Sequence, residues 1–367
     1  MVKLKNYDWG QFSEKIKEKR LYCFGCGNMA LWLSYEVSGY QIADSIEAFI
    51  DNDKRKVGSF VKLDGRKIPI IAFEEFVMRC GSNTILLITN MYYREILQQL
   101  DREERLNNLE CCIEVFLDEK YQSQEHIRTS QEQQLIPPII HYCWFGKSEI
   151  PREYKAYMET WKQYCPDYEI IRWDEENYDY KKNTYIAQAY REKKWAFVSD
   201  YARLDVVYQM GGIYLDIDVE ILRSLDELRK NKMFCGFEQG NYINTGLGFG
   251  AQKGHPHLKG MLQDYENIDF IKADGSLNLK ACTEYQTAYL KKIGLQRNGR
   301  YQTLDDGSVT VYPRTVFAPI DFYGIHKNIT EQTYTVHHYA ATWFANGKDG
   351  LLKENTEIMR RMTSENV

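Results

Sequence analysis

At 367 residues the chain has room for two domains of roughly 150 residues each, so each can bury a core of ordinary size without disulfide staples. Charged residues are 27% and the hydrophobic set 44%, which excludes disordered and fibrous classes. A net charge of -5 argues against a nucleic-acid binder, whose footprint is a concentrated basic face, while 28 Tyr suggest flat amphipathic surfaces suited to sugars or bases.

The start, from Met1 to Asp8, lacks the apolar stretch of a signal peptide. No later stretch approaches the roughly 18 apolar residues of a membrane span. The expectation is a cytoplasmic protein, with peripheral association at the inner face of the membrane left open. Nine cysteines without a framework spacing read as reduced thiols. Cys23 and Cys26 form a lone C-x-x-C, better read as two small residues around a turn than as a metal or redox site.

A first domain is expected over residues 1–118. Arg20-Leu21-Tyr22-Cys23-Phe24 reads as a strand, followed by the glycine turn Gly25-Cys26-Gly27-Asn28-Met29-Ala30 and a helix carrying Leu31, Leu33, Tyr35 and Val37. Ile46 to Ile50 is a strand ending in Asp51-Asn52-Asp53. Ile68 to Ile70, a helix near Phe73 to Met78, and the strand Thr84 to Thr89 follow. Strands alternating with helices predict an α/β fold with a parallel sheet, similar to Rossmann-like domains associated with sugar nucleotides. The glycine turn either holds a phosphate at a helix N-terminus or only lets that helix pack on the sheet. Residues 119–135 are rich in Gln, Ser, Glu and Arg and read as a linker.

The second domain, residues 136–367, opens with the strand Ile136 to Gly146, then the strand Tyr168 to Asp174, with a helix near Tyr185 to Lys193. Val198 to Met210 predicts a helix ended by Gly211-Gly212, with Phe197, Tyr201, Leu204 and Tyr208 toward the core and Asp200 and Arg203 sharing another face. After the glycines, Ile213, Leu215, Ile217, Val219 and Ile221 alternate with Tyr214, Asp216, Asp218 and Glu220, the pattern of one strand with an acidic face. On such a strand Asp216 and Asp218 point the same way, about 6–7 Å apart at Cα. Their repulsion is relieved by a divalent cation, and hard carboxylate oxygens suit Mg²⁺ or Mn²⁺ holding a diphosphate.

Ser199-Asp200-Tyr201-Ala202-Arg203 followed by Gly211-Gly212-Ile213-Tyr214-Leu215-Asp216-Ile217-Asp218 resembles the signature of the DXD-containing, sugar-binding-region glycosyltransferases (family 32), distantly like the large clostridial glucosylating toxins. The strand Ile139 to Gly146 and the late segment Tyr339-Ala340-Ala341-Thr342-Trp343 are similar to the family's first strand and closing segment, so the resemblance covers roughly residues 136 to 345. It implies a GT-A (nucleotide-diphospho-sugar transferase) fold, a nucleotide-sugar donor, a divalent metal and retention of anomeric configuration.

Carried over, the resemblance puts Trp144 on the nucleobase with Ser199 nearby, and Asp200, Arg203 and Asn244 on the donor sugar. Tyr214 and Asp216 meet the ribose or the metal shell. Asp218 and one of the two histidines of the strand Tyr334 to Tyr339 ligate the metal, His338 being favoured over His337, while Thr342 and Trp343 approach the β-phosphate. Glu238 and Glu284 are candidate polar contacts for the acceptor. No nucleophile is singled out: a front-face route and a covalent intermediate stay open. The resemblance implies a UDP-sugar donor and a saccharide or lipid-linked saccharide acceptor in bacterial capsular, lipopolysaccharide or exopolysaccharide synthesis. The rival expectations are a host-protein-modifying effector and a non-catalytic sugar-nucleotide sensor.

Overall fold

The computed structural model describes residues 1–117, 133–321, 327–339, 355 and 357–362. These form two compact units of mixed α/β structure. The first unit takes residues 1–117 together with 355 and 357–362, and the second takes 133–321 and 327–339.

The first unit is built on a seven-stranded sheet. Its strands are β1 (Lys3–Leu4), β2 (Arg20–Phe24), β3 (Ile46–Ile50), β4 (Phe60–Leu63), β5 (Arg66–Ile71), β6 (Thr84–Ile88) and β7 (Glu110–Ile113), in the order β1-β7-β6-β2-β3-β5-β4. All pairs are parallel except β4 with β5. β6 is buried along its whole length, as a parallel strand covered on both faces must be. The helices are α1 (Trp9–Ile16), α2 (Tyr35–Ser38), α3 (Phe73–Arg79) and α4 (Tyr93–Asp101). α1 begins in a capping box between Asp8 and Gln11, which satisfies amide groups its first turn would leave open.

The glycine turn differs from expectation. Gly25 has φ +112°, and a side chain there would press to 2.7 Å from the carbonyl oxygen of Thr89, so glycine is required to pass the end of β6. The expected helix beyond it is instead a 3₁₀ turn, Asn28–Leu33, broken at Ser34 (ψ 148°) and followed only by the single turn α2. No helix long enough to focus a dipole starts at this loop. The Cys26 thiol donates to the Asp51 carboxylate at 2.8 Å, and Lys56 meets the same oxygen at 3.0 Å. All nine cysteines are free thiols.

The expected second domain reached residue 367, but the described end of the tail belongs to the first unit. Tyr93 donates its hydroxyl to Asn355, and Arg361 grips Asp101 at 2.8 and 3.0 Å while Ile358 and Met362 are buried. The expected linker, 119–135, lies outside the described residues except for its last three positions.

The second unit holds an eight-stranded sheet. Seven strands run in the order β15-β16-β12-β14-β10-β8-β9, and β13 pairs with β12 from the side. Their ranges are β8 (Ile139–Cys143), β9 (Glu169–Trp173), β10 (Gly212–Tyr214), β12 (Met233–Phe237), β13 (Ile243–Asn244), β14 (Phe249–Ala251), β15 (Gln302–Leu304) and β16 (Val309–Tyr312). A separate two-stranded ribbon joins β11 (Val219–Ile221) to β17 (Thr335–His337). The helices are α5 (Arg152–Tyr164), α6 (Thr184–Arg191), α7 (Trp195–Met210), α8 (Pro256–Asp264), α9 (Cys282–Lys291) and α10 (Arg314–Phe317). Core residues of α6, α7, α8 and α9 pack on one face of the sheet and those of α5 and α10 on the other.

Two features position the site. β8 lies between β9 and β10 and is parallel to both, so the chain leaves it to opposite sides. The carboxyl ends of such strands open a crevice in which α/β sheets bind ligands. Gly211 (φ +73°) and Gly212 (φ +111°) then turn α7 directly into β10: a side chain on Gly212 would lie 2.9 Å from the Ile139 carbonyl and 2.8 Å from the His141 ring. That ring is itself locked, Nε2 against the Gly211 carbonyl at 2.8 Å and Nδ1 accepting from Trp173 at 3.1 Å.

Candidate functional site

The expected single strand from Ile213 to Ile221 does not form. β10 ends at Tyr214, the chain turns with the Val219 amide donating to the Asp216 carbonyl at 3.1 Å, and β11 starts in the separate ribbon. The alternation of apolar residues is real, because Leu215, Ile217, Val219 and Ile221 are all buried, but a tight turn satisfies it as well as a strand does. The consequence favours ligation. The turn gathers Asp216 and Asp218, and pairing of Val219 with His337 brings in an imidazole, so that ligand atoms of Asp216, Asp218 and His337 all lie within 4.8 Å of one another.

The preference for His338 is therefore reversed. His337 Nε2 sits 3.2 Å from Asp218, whereas His338 Nε2 bonds Glu220 at 2.9 Å and its ring stacks on Tyr157 at 4.1 Å. Adjacent strand residues face opposite ways, and register with β11 decides which one faces Asp218. Burial opposes protonation of His337, but Asp218 and Asp216 outweigh it and push its pKa up.

Behind the acids lies a buried charge pair. α7 is enclosed on nearly all sides, so Asp200 and Arg203 are in the interior while the expected core residues Phe197 and Tyr208 are only half-buried. Arg203 Nη2 reaches Asp200 at 3.2 Å and Asp216 at 3.3 Å, and Nε donates to the Ser199 carbonyl at 3.2 Å. Burial works against its charge, yet Asp216, Tyr214 and Asp200 hold the guanidinium well above its ordinary range. Burial pushes the Asp216 carboxyl up, Arg203 opposes this and Asp218 reinforces it. Two acids beside one fixed cation leave room for a further positive charge.

Tyr214 is fully buried and offers no face to a nucleotide; its hydroxyl donates to Asp216 at 2.9 Å and orients it. Ser199 spends its hydroxyl proton on the Trp195 carbonyl at 3.2 Å. Trp144 stands just past β8, partly buried, with its indole N–H donating to Ser148 at 2.7 Å. Gly146 follows, its amide held by Glu175 at 2.6 Å. Asn244 Oδ1 accepts from the Gly246 amide at 2.6 Å and Nδ2 donates to Glu238 at 2.8 Å. Glu284 is exposed on α9. Thr342 and Trp343 lie outside the described residues.

Gly246, legible as part of an Asn-x-Gly strand, and two residues that escaped the sequence reading complete the cluster. A side chain on Gly246 would collide with the Asp216 carboxylate and approach Asn244 Oδ1 and Arg203 Nη1, so this glycine is what lets the strand and the acids meet. Its signal was visible in Asn244-Thr245-Gly246. Cys282, at the start of α9, is buried against the Arg203 guanidinium, with Sγ 4.0 Å from Nη1. Gln286, one turn on, donates to Thr245 Oγ1 at 2.7 Å and accepts from the Thr245 amide at 3.2 Å, bracing β13 from α9. Nothing local in the sequence marks either residue.

Residues 151–235 match the family described as a glycosyltransferase sugar-binding region containing the DXD motif. This segment is thus similar to the DXD-type glycosyltransferase sugar-binding region. It includes Asp200, Arg203, Asp216 and Asp218, and ends before Asn244 and His337. Among curated relatives, inositol phosphoceramide mannosyltransferase 3 of Schizosaccharomyces pombe is 28% identical over 38% of this chain and 40% of its own. Initiation-specific alpha-1,6-mannosyltransferase of Candida albicans is 27% identical over 34% and 35%. The chain thus spans less than half the length of these relatives. A solved structure titled PaToxG Glycosyltransferase aligns at 19% identity and TM-score 0.34 over 45% of this chain and 71% of that one. Among the described residues no helix is long and apolar enough to cross a membrane.

Proposed function

We propose that the second unit is the catalytic domain, of GT-A type, of a metal-dependent, retaining glycosyltransferase, and that the first is a Rossmann-like domain beside it. The reaction moves a sugar from a nucleoside diphosphate sugar, a UDP-sugar being the first candidate, to a saccharide or lipid-linked saccharide acceptor. The setting proposed is assembly of a bacterial surface polysaccharide at the cytoplasmic face of the membrane. The observation that carries the reading is the convergence of Asp216, Asp218 and His337 beside the Arg203–Asp200 pair, at the carboxyl end of β10. The names of the relatives add a mannosyl donor and a phosphoinositol-bearing lipid acceptor to the substrates to be tried.

Two carboxylates and one imidazole suit a Mn²⁺ or Mg²⁺ ion with part of its shell left open. Asp216, Asp218 and His337 are the residues that would hold it; when bound, the ion supplies positive charge to the leaving diphosphate. Arg203, kept protonated and clamped by two acids, orients Asp216 and presents Asp200 in fixed geometry toward sugar hydroxyls. Tyr214 holds Asp216 in place. Trp144, at the mouth of the crevice, offers an aromatic face to a base. Turnover of UDP- and GDP-sugar panels with and without Mn²⁺ tests the reading. Metal-dependent transfer or donor hydrolysis, abolished in Asp218→Asn with the fold intact, is the expected result. Nucleotide binding without any turnover would leave a sensor instead of an enzyme.

A further inference from the structure

Asn244 was expected to meet the donor sugar, yet its side chain is committed to the protein: the amide oxygen takes the Gly246 N–H, and the amide nitrogen donates to Glu238 Oε2. The group with spare capacity is the one Asn244 holds. Glu238 follows β12 and is half-buried, with one carboxylate oxygen fixed by Asn244 and the other without a hydrogen-bond partner among the described residues. An ionised carboxylate offers about four acceptor sites and needs most of them filled when water is partly excluded. The geometry ties Glu238 to the candidate site through Asn244, since Asn244 also holds the amide of Gly246, the glycine packed against Asp216 and Arg203. Burial pushes the Glu238 carboxyl up while Asn244 and the His337 imidazole oppose it, and among the described residues its one side-chain hydrogen bond comes from a neutral amide.

We propose that Glu238 is a donor-sugar specificity residue, accepting a hydrogen bond from a sugar hydroxyl through the carboxylate oxygen that Asn244 leaves open, with Asn244 as its positioning residue. This rests on the reading of the second unit as a glycosyltransferase. The predicted ligand class is a hexose with an unmodified hydroxyl at the position facing Glu238. A deoxy or O-substituted sugar at that position is disfavoured, because it leaves the carboxylate oxygen unpaired.

The test is calorimetry with Mn²⁺ and, as probes, UDP, GDP, UDP-glucose, UDP-galactose, UDP-N-acetylglucosamine and GDP-mannose, on wild type, Glu238→Ala and Glu238→Gln. In wild type at least one nucleotide sugar should bind about tenfold more tightly than its parent nucleotide. Glu238→Ala should keep the nucleotide affinity within about twofold while losing that tenfold increment. Glu238→Gln, which conserves volume and the bond from Asn244, should lose part of it and carries the test if the alanine variant does not fold. An undiminished sugar increment in a folded variant overturns the proposal while the glycosyltransferase reading stands. If wild type binds none of the six probes, the glycosyltransferase reading falls, and the role of Glu238 falls with it.

Discussion

Arg203 is the residue on which the buried polar cluster turns. It pairs with both Asp200 and Asp216, and removing it leaves the buried Asp200 carboxylate and the partly buried Asp216 without their shared cation. Loss of one partner of a buried pair costs about 3–5 kcal/mol, so Arg203→Ala should unfold at markedly lower urea, with a loss near 3 kcal/mol on a denaturation curve. Tyr214 acts on the same acid more gently. Tyr214→Phe removes one hydrogen bond to Asp216 and should weaken Mn²⁺ about tenfold by titration, while costing roughly 1 kcal/mol of stability. An unchanged Mn²⁺ affinity would mean that Tyr214 does not orient a ligand. The carboxylates and Arg203 were legible from the sequence because their spacing is local. The choice of histidine was not, since His337 and His338 differ only in strand phase, which pairing with a partner more than a hundred residues away decides.

At the scale of elements, glycines do the joining. Gly246 sits where a side chain would displace Asp216, Asn244 and Arg203 together. Its backbone needs no positive φ, so Gly246→Ala should fold and yet lose function. A shift of about 1 Å in a site can cost a hundredfold, and turnover should fall by about that factor with the melting temperature nearly unchanged. Gly212→Ala should do the opposite and destabilise the whole unit, because φ +111° and contact with the Ile139 carbonyl admit no side chain. Thermal melts of the two variants separate the cases. The glycine pair was readable as the end of a helix. That the next segment breaks into β10, a turn and β11 was not: burial alone produces the same alternation, and the hydrogen bond from Val219 to Asp216 that makes the turn leaves no mark in composition. The short 3₁₀ turn after Gly25 was hidden in the same way, as its apolar residues suit a longer helix equally well.

At the scale of the whole molecule, two α/β units were expected from length and from the change in composition between them. The return of the tail to the first unit was not, because it depends on Arg361 finding Asp101 across the length of the chain. The second unit also carries an acid sensitivity away from the candidate site. His255 is buried at the start of α8, and burial, assisted by neighbouring His257 and Lys232 and opposed by Ser308 and Asp305, lowers its pKa to about 4. The folded state therefore resists a proton that the unfolded chain accepts near its ordinary value of about 6.5. The contribution to stability is present above pH 6.5 and is lost as pH falls through the window from 6.5 to about 4. Unfolding free energy should drop by roughly 2 kcal/mol across that window on account of this group. His255→Gln should flatten that part of the profile, and an unaltered slope would show that His255 does not cause it.

The central claim is that one cation site is made by the Asp216–Val219 turn and the ribbon histidine. The direct measurement is Mn²⁺ affinity, by calorimetry with UDP present, in His337→Ala and His338→Ala. The account predicts that His337→Ala loses Mn²⁺ binding by about a hundredfold while His338→Ala stays within a few-fold of wild type. Loss in His338→Ala with binding retained in His337→Ala would contradict it.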